Sequence, residues 1–307
     1  MYKHNINLLP MQMTKSYESE GLIPKNIISV GANKKWEQGY TGNGIVIAIL
    51  DSGCDTKNLS LVANIIDGYN FTEEHNGDTS NFEDLNGHGT HVAGILAASK
   101  NKKGTVGVAP NAKLLILKVL DELGKGSVET VVKALNYATE WRGPYGEKVR
   151  VISLSLGTRN PNEDMYRAIK KAITEDIPVV VASGNDGDGN INTDEYRYPG
   201  AYDEVIEVGA VDDENNIAPF TNTNRFVDIY APGVDINSTF LQNEFAVLSG
   251  TSMAVPHVAG AIAIIIEEHE KKYGVPLREH GIHQLLRKYT DLIKIDENNN
   301  INVLSLK

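Results

Sequence analysis

Three short segments carry the residues able to do chemistry. Residues 49–55 read ILDSGCD, residues 86–94 read NGHGTHVAG, and residues 249–260 read SGTSMAVPHVAG. Each offers one reactive type: a carboxylate at Asp51, an imidazole at His88 and a hydroxyl at Ser252. Taken singly, these read as a turn aspartate, a structural histidine and a helix N-cap. Taken together they form a set. A serine is not nucleophilic at neutral pH without a base, and a histidine base needs a carboxylate to fix its tautomer and stabilise its charged form. The glycines around His88 let other groups approach its ring closely. A serine at a helix N-terminus also places backbone N–H groups and a positive dipole end where an oxyanion would form. His91 lies three residues after His88, but no Glu-x-x-His or cysteine set accompanies the pair, so metal ligation is not expected there. Cys54 is the single cysteine, which rules out an intrachain disulfide. A Cys–His dyad would leave Ser252 idle and is the weaker reading.

The elements that must position these groups follow from apolar patterning. Residues 45–50 (IVIAIL), 114–120 (LLILKVL), 149–156 (VRVISLSL), 177–182 (IPVVVA) and 205–211 (VIEVGAV) are apolar runs rich in β-branched residues. Such runs fit strands buried on both faces, as in a parallel sheet. Between them, residues 88–99, 127–141, 163–176, 251–272 and 280–289 have helical character, and 127–141 opens on a capping-box-like Ser-x-x-Thr. Strand–helix alternation predicts an α/β fold with right-handed crossovers. Asp51 ends one strand, and the Gly/Asn-rich stretch 183–192 follows another. Both therefore point to the carboxyl edge of the sheet, where open α/β folds bind ligands.

Composition narrows the function classes. The chain has 307 residues, 41% hydrophobic and 22% charged, which excludes disorder and a disulfide scaffold for its bulk. With 29 basic and 40 acidic side chains, the net charge of −11 disfavours nucleic acid or an anionic membrane as the main partner. No secretory signal is expected, because the apolar part of residues 1–13 is short and interrupted by Pro10. The run 258–266 (VAGAIAIII) is too short to span a bilayer and reads as a buried helix. No internal repeat stands out, and the first 35 or so residues show no long periodic segment. A soluble, cytoplasmic protein is the expectation.

The three segments resemble the motif blocks of the subtilisin-like (subtilase) serine proteases: DSG at 51–53, HGTHVAG at 88–94 and GTSMAVPHVAG at 250–260. The order Asp, His, Ser is that of the family. Val255 stands where the family usually has a small residue. The resemblance implies a three-layer α/β fold with a mostly parallel central sheet and helices on both faces. It also implies a serine endopeptidase working through an acyl-enzyme. By position, Ser252 would be the nucleophile, His88 the general base and then acid, Asp51 the orienting carboxylate, and Asn185 the oxyanion-hole amide. Gly124 and Gly126 would form one edge for the substrate backbone, and Ser155, Leu156 and Gly157 the other. Ala182, Ser183 and Gly184 would line the pocket for the residue before the cut, with Asp186 and Glu195 as minor influences.

A narrower likeness is to the intracellular subtilisins of bacilli. They carry a short N-terminal extension with a Leu-Ile-Pro-type motif across the active site. Leu8, Leu9 and Pro10 match it with Leu for Ile, which implies an inhibitory extension over 1–20 and a peptidase domain over 21–307. Leu22–Pro24 is the second choice for that motif. A homodimer is implied by the same likeness. Structural Ca2+ is implied near 99–105, with Asn101 a candidate ligand. The usual aspartate is replaced by Ser60, however, and Lys100, Lys102 and Lys103 crowd the loop. Asp186, Asp188, Asp194 and Glu195 could build a different site. Two rivals remain: a binding module without catalysis, and an α/β-hydrolase esterase. The first would lack one of the four catalytic groups, and the second needs Gly-x-Ser-x-Gly and a different chain order.

Overall fold

The computed structural model describes residues 5–9, 12–15, 23–100 and 105–307, with backbone only for 12–15. In chain order the elements begin with β1 (Asn5–Leu8), β2 (Gln12–Lys15), α1 (Lys25–Ser29), α2 (Ala32–Glu37), β3 (Val46–Asp51), β4 (Ile65–Asn70) and α3 (His88–Ala97). They continue through β5 (Lys113–Lys118), β6 (Lys125–Ser127), α4 (Val128–Glu140), β7 (Val149–Leu154), β8 (Leu156–Gly157), α5 (Glu163–Thr174) and β9 (Val179–Ala182). The last third holds β10 (Ile206–Val211), β11 (Val227–Pro232), β12 (Ile236–Thr239), β13 (Phe245–Ser249), α6 (Thr251–Tyr273), α7 (Glu279–Leu286), β14 (Thr290–Lys294) and β15 (Asn300–Leu304).

Nine strands form the central sheet in the order β14-β15-β11-β10-β9-β7-β3-β5-β4. All neighbours are parallel except β14 and β15. Strand β3 shows why the sheet is buried on both sides. Its alternate residues Ile47 and Ile49 join the cluster with α1, α2, α3, α6 and α7, while Val46, Ala48 and Leu50 join the cluster with α4 and α5. The period-2 alternation of a strand requires an apolar residue at every position when both faces are covered. Helix α6 has no polar face over its first 18 residues, and all of them, through Glu268, are buried. It is a core helix of the first layer. Ser127 caps α4 as its sequence suggests, its Oγ accepting from the Thr130 N–H at 3.1 Å, and Asn162 caps α5.

The strand order reverses around β3, with β5 and β4 on one side and β7 on the other. The crevice therefore opens at the carboxyl end of β3, beside Asp51.

The expected run 149–156 is not one strand. It breaks at Ser155, and Leu156–Gly157 turns out of the sheet to pair with β1. The N-terminal stretch holds more structure than its lack of periodicity suggests. Helices α1 and α2 and the residue capping α1 bury Ile27, Ala32 and Val30 in the core, and two short strands precede them. Strand β1 lies between β6 and β8, antiparallel to both, and β2 runs antiparallel along β13. Near the C-terminus, Asn300–Leu304 form β15 inside the main sheet.

One buried carboxyl group stands in the middle of this sheet. Glu207 on β10 is fully buried, accepts one hydrogen bond from Asn224 Nδ2 at 3.3 Å, and has no partner for Oε2 among the described residues. Burial, with the nearby Asp228 adding to it, pushes its carboxyl up to about 8. A raised carboxyl pKa stabilises the fold below the unfolded value and loses that contribution as pH rises through the folded one. Between 4.5 and about 8 the loss approaches roughly 1.4 kcal/mol per pH unit. Glu207→Gln keeps the neutral form at every pH. Thermal melts at pH 4 and pH 9 are expected to show parent and variant close at pH 4 and the variant more stable at pH 9.

Candidate active site

The site is built on the carboxyl end of β3. Asp51 is the last residue of that strand and is buried. Its Oδ1 accepts from the Ser52 N–H at 2.7 Å and from His88 Nδ1 at 2.7 Å. Because a carboxylate oxygen accepts there, the proton sits on Nδ1 and the lone pair on Nε2. His88 opens α3, is fully buried, and its Nε2 has no hydrogen-bond partner among the described residues.

Two features of the local sequence make this contact possible. A Cβ on Gly89 would lie 2.2 Å from the Gly53 carbonyl oxygen, so only glycine lets α3 meet the loop after β3. The second feature is Asp84, which the sequence reading did not single out. It is buried, and its Oδ1 accepts from Ser52 Oγ and from the N–H groups of Asn86 and Gly87, each at 2.9 Å. Its Oδ2 accepts from the Thr90 N–H and Oγ–H. Ser52 Oγ in turn accepts from the Gly89 N–H at 2.9 Å. One carboxylate thus binds the loop carrying Asp51 to the helix carrying His88. Lys118, also missed, is fully buried; its Nζ donates to the Ser52 carbonyl at 2.5 Å and pairs with Glu74 at 2.7 Å.

Ser252 is the second residue of α6 and is buried. Its Oγ donates to the Ser155 carbonyl at 3.3 Å, and Ser155 Oγ donates to the Ser252 carbonyl at 3.1 Å. The second contact has a cause in the sequence. Pro256 sits four residues on, has no N–H, and leaves the Ser252 carbonyl without its helical donor. Asn185 is held through its Oδ1, which accepts from the Thr251 N–H and Oγ–H, each at 2.8 Å. That orientation makes Nδ2 the donating end. A Cβ at Gly250, next to the turn into α6, would lie 2.9 Å from that Nδ2.

The two expected edges face each other across β1. Ile6 pairs with Gly126, Asn7 with Gly157 and Leu8 with Leu156, and Leu8 N–H donates to the Gly124 carbonyl at 2.8 Å. Ile6 and Leu9 are buried, and Leu9 Cδ2 lies 3.6 Å from the Cβ position of Gly157. Pro10 lies outside the described residues, as does Leu22 of the second-choice motif. Beyond it, Gln12 pairs with Ser249, three residues before Ser252. Ala182 ends β9, Ser183 is fully buried with no partner for its Oγ among the described residues, and the Gly184 N–H donates to Thr251 Oγ1. Asp186 is ion-paired with Arg197, and Glu195 accepts from backbone N–H groups at Asp188 and Thr223, so neither carboxylate is idle.

Asn101 lies outside the described residues. The Ser60 carbonyl accepts from the Ser99 N–H. Asp186, Asp188, Asp194 and Glu195 do not converge: among the described residues no three His, Cys, Asp or Glu side chains gather as metal ligands. No step below depends on Ca2+. Cys54 is fully buried, and burial, with Asp84, Asp55 and Glu83 near it, pushes its thiol well up from the ordinary value. A thiolate nucleophile is disfavoured there.

Known proteins resemble this chain over most of its length. Residues 42–301 match the model of the subtilase family of peptidases. The chain is 42% identical over 288 residues to an intracellular serine protease of Paenibacillus polymyxa, covering 94% of this chain and 86% of that one. It is 41% identical over 285 residues to the major intracellular serine protease of Bacillus subtilis, covering 92% and 88%. To subtilisin Savinase of Lederbergia lenta it is 40% identical over 258 residues, covering 84% and 89%. The three-layer α/β fold and the extent of these matches lead to one conclusion: the chain belongs to the subtilase family and is a serine endopeptidase.

Proposed function

We propose that this is an intracellular endopeptidase that cleaves polypeptides through Asp51, His88 and Ser252 and is held inactive by its own N-terminal segment. The observation that carries the reading is β1, lying as a third strand between Gly124–Gly126 and Ser155–Gly157 at the edge of the sheet where Asp51 meets His88. The names of the two intracellular relatives support the compartment.

A substrate would take the place of β1 and gain the same main-chain hydrogen bonds. His88 Nε2 accepts the Ser252 Oγ proton while Oγ attacks the scissile carbonyl carbon. The C=O π pair moves to oxygen, and that oxyanion is met by the Asn185 amide and the Ser252 N–H at the start of α6. His88 then gives its proton to the leaving nitrogen as the C–N bond breaks. Water repeats the sequence on the acyl-enzyme, with Oγ as leaving group. Asp51 stays an acceptor throughout and holds the imidazole in the useful tautomer. The Ser252 hydroxyl has a single proton, which is directed at Ser155 in this arrangement, so engaging Nε2 requires a rotation about its side-chain torsion.

The segment lies in the direction of a substrate. Leu9 fills the place of the residue before the cut and Ile6 that of the fourth residue before it. Pro10 follows Leu9, and proline offers no N–H on the leaving side. Residues 1–20 are the inhibitory part in this reading, and residues 21–307 the peptidase domain.

Two outcomes follow. A chain lacking residues 1–20 is expected to hydrolyse a chromogenic peptide amide that the full chain leaves intact, and Ser252→Ala is expected to remove about 10⁶-fold of that turnover. Equal activity of the full and shortened chains would reduce the segment to a tail. Asp84→Asn puts a donor where an acceptor is needed by buried N–H and O–H groups. It is expected to cost about 1–3 kcal/mol in a urea melt and to lower kcat more than it changes KM, because what is lost is the mutual placement of Asp51 and His88.

A further inference from the structure

We propose that Glu74 and Asn86 are positioning residues: together they hold both backbone polar groups of Glu122, in the turn before β6, and so couple a filled substrate edge to the placement of Asp51 and His88. The proposal rests on the reading that Gly124–Gly126 are a substrate edge and that Asp51 and His88 act on Ser252.

The Glu122 N–H donates to Glu74 Oε1 at 2.6 Å, and the Glu122 carbonyl accepts from Asn86 Nδ2 at 2.9 Å. Each holder leads to a different member of the catalytic set. Glu74 pairs through its other oxygen with Lys118 at 2.7 Å, and Lys118 donates to the carbonyl of Ser52, the residue after Asp51. Asn86 Oδ1 accepts from the His88 N–H at 3.2 Å, while the Asn86 N–H donates to Asp84. Glu122 therefore stands where the two routes meet. It is also part of the substrate edge. Asp121 Oδ1 accepts from the N–H groups of Leu123 and Lys125, and the Gly124 N–H donates to the Asp121 carbonyl, which closes residues 121–125 into one tight turn. The carbonyl that accepts from the Leu8 N–H is that of Gly124, in the same turn.

The need to satisfy backbone groups does not account for this arrangement. Glu122 and Leu123 are exposed, and polar groups there can bond to water. A buried cation, by contrast, requires a counter-charge. Lys118 is fully buried and so fixes where the Glu74 carboxylate lies. An exposed turn is thus tied to a charge pair that cannot drift. Small displacements of groups around a reacting centre can cost up to about 100-fold in rate, so the ties bear on turnover more than on binding.

The test uses the full chain with Ile6→Asp and Leu9→Asp, which place charges at the two buried apolar anchors of the N-terminal segment and so open the cleft. Its probes are the p-nitroanilide of Ile-Asn-Leu-Leu, long enough to reach Gly124, and p-nitrophenyl acetate, which is too short. Rates are taken per reactive serine, counted with a fluorophosphonate, and on the alkaline plateau where His88 is neutral. Glu74→Gln leaves one acceptor oxygen where two are used. Asn86→Asp keeps the acceptor for the His88 N–H but removes the donor to Glu122; it disturbs no buried charge and carries the test alone if the first variant does not fold. Each is expected to lower kcat for the anilide by about 10- to 100-fold, with a smaller change in KM, and to leave the acetate rate little changed. The double variant should lose no more than the worse single one, because one lost tie already frees Glu122. Equal losses on anilide and acetate would mark a general disturbance of the site and overturn the coupling, as would losses that multiply in the double variant. A parent that hydrolyses the acetate but not the anilide sinks the underlying reading of the edge.

Discussion

How closely the first turn of α3 can approach the loop after β3 decides the rest of the site. The strand delivers Asp51 and the helix delivers His88, but the 2.7 Å contact between them exists only because Gly89 has no Cβ to strike the Gly53 carbonyl. The same approach brings Ser52 within reach of Asp84 and of the Gly89 N–H. A buried carboxylate satisfied by five donors is well compensated for the loss of water. Its bonds go mainly to backbone groups, so the geometry it holds depends little on side-chain rotamers. Lys118 adds a second tie to the same loop from the neighbouring strand. The His88 imidazole is thus held by its surroundings in one orientation.

The cleft itself follows from a shortage of partners. Strands β6 and β8 are short and, without β1, present backbone N–H and C=O groups to open space on facing edges. Any extended chain placed between them satisfies both edges at once, whatever its side chains. The side chains buried in β1 and the residue after it are Ile6 and Leu9. The break at Ser155 is what creates the second edge. The chain leaves the central sheet there, and the lost helical donor at Pro256 lets Ser155 bond to the Ser252 carbonyl instead.

Much of this was legible in the sequence. The buried strands announce themselves through unbroken apolar runs, and Asp51, His88 and Ser252 stand out because each follows or enters a glycine turn. Asp84 was not legible. An aspartate shortly before Asn86-Gly87 reads as loop chemistry, and only folding shows that it accepts from two segments at once. Pro256 has no local signal of its role either, because its missing N–H matters only beside the Ser155 hydroxyl that donates to the Ser252 carbonyl. Strand β1 has four residues, too few for a periodic signal, and its partners lie far along the chain. Its pairing is a tertiary fact with no local signature. Glu207 inside a run of apolar residues was read as part of a strand, which it is, but its burial without a full set of partners depends on Asn224 and Asp228 from later segments.

The covalent continuity of β1 with the rest of the molecule has a consequence for kinetics. A ligand tethered by a short connection acts at an effective concentration of roughly millimolar, independent of how dilute the protein is. Dilution cannot empty the cleft, and a free peptide of equal intrinsic affinity must itself approach millimolar levels to share it. Cutting the connection changes the order of the reaction: the same segment becomes a bimolecular ligand, and its occupancy then falls as the protein is diluted. One broken peptide bond, with no change in any contact between β1 and its edges, is enough to turn a permanent occupant into a transient one.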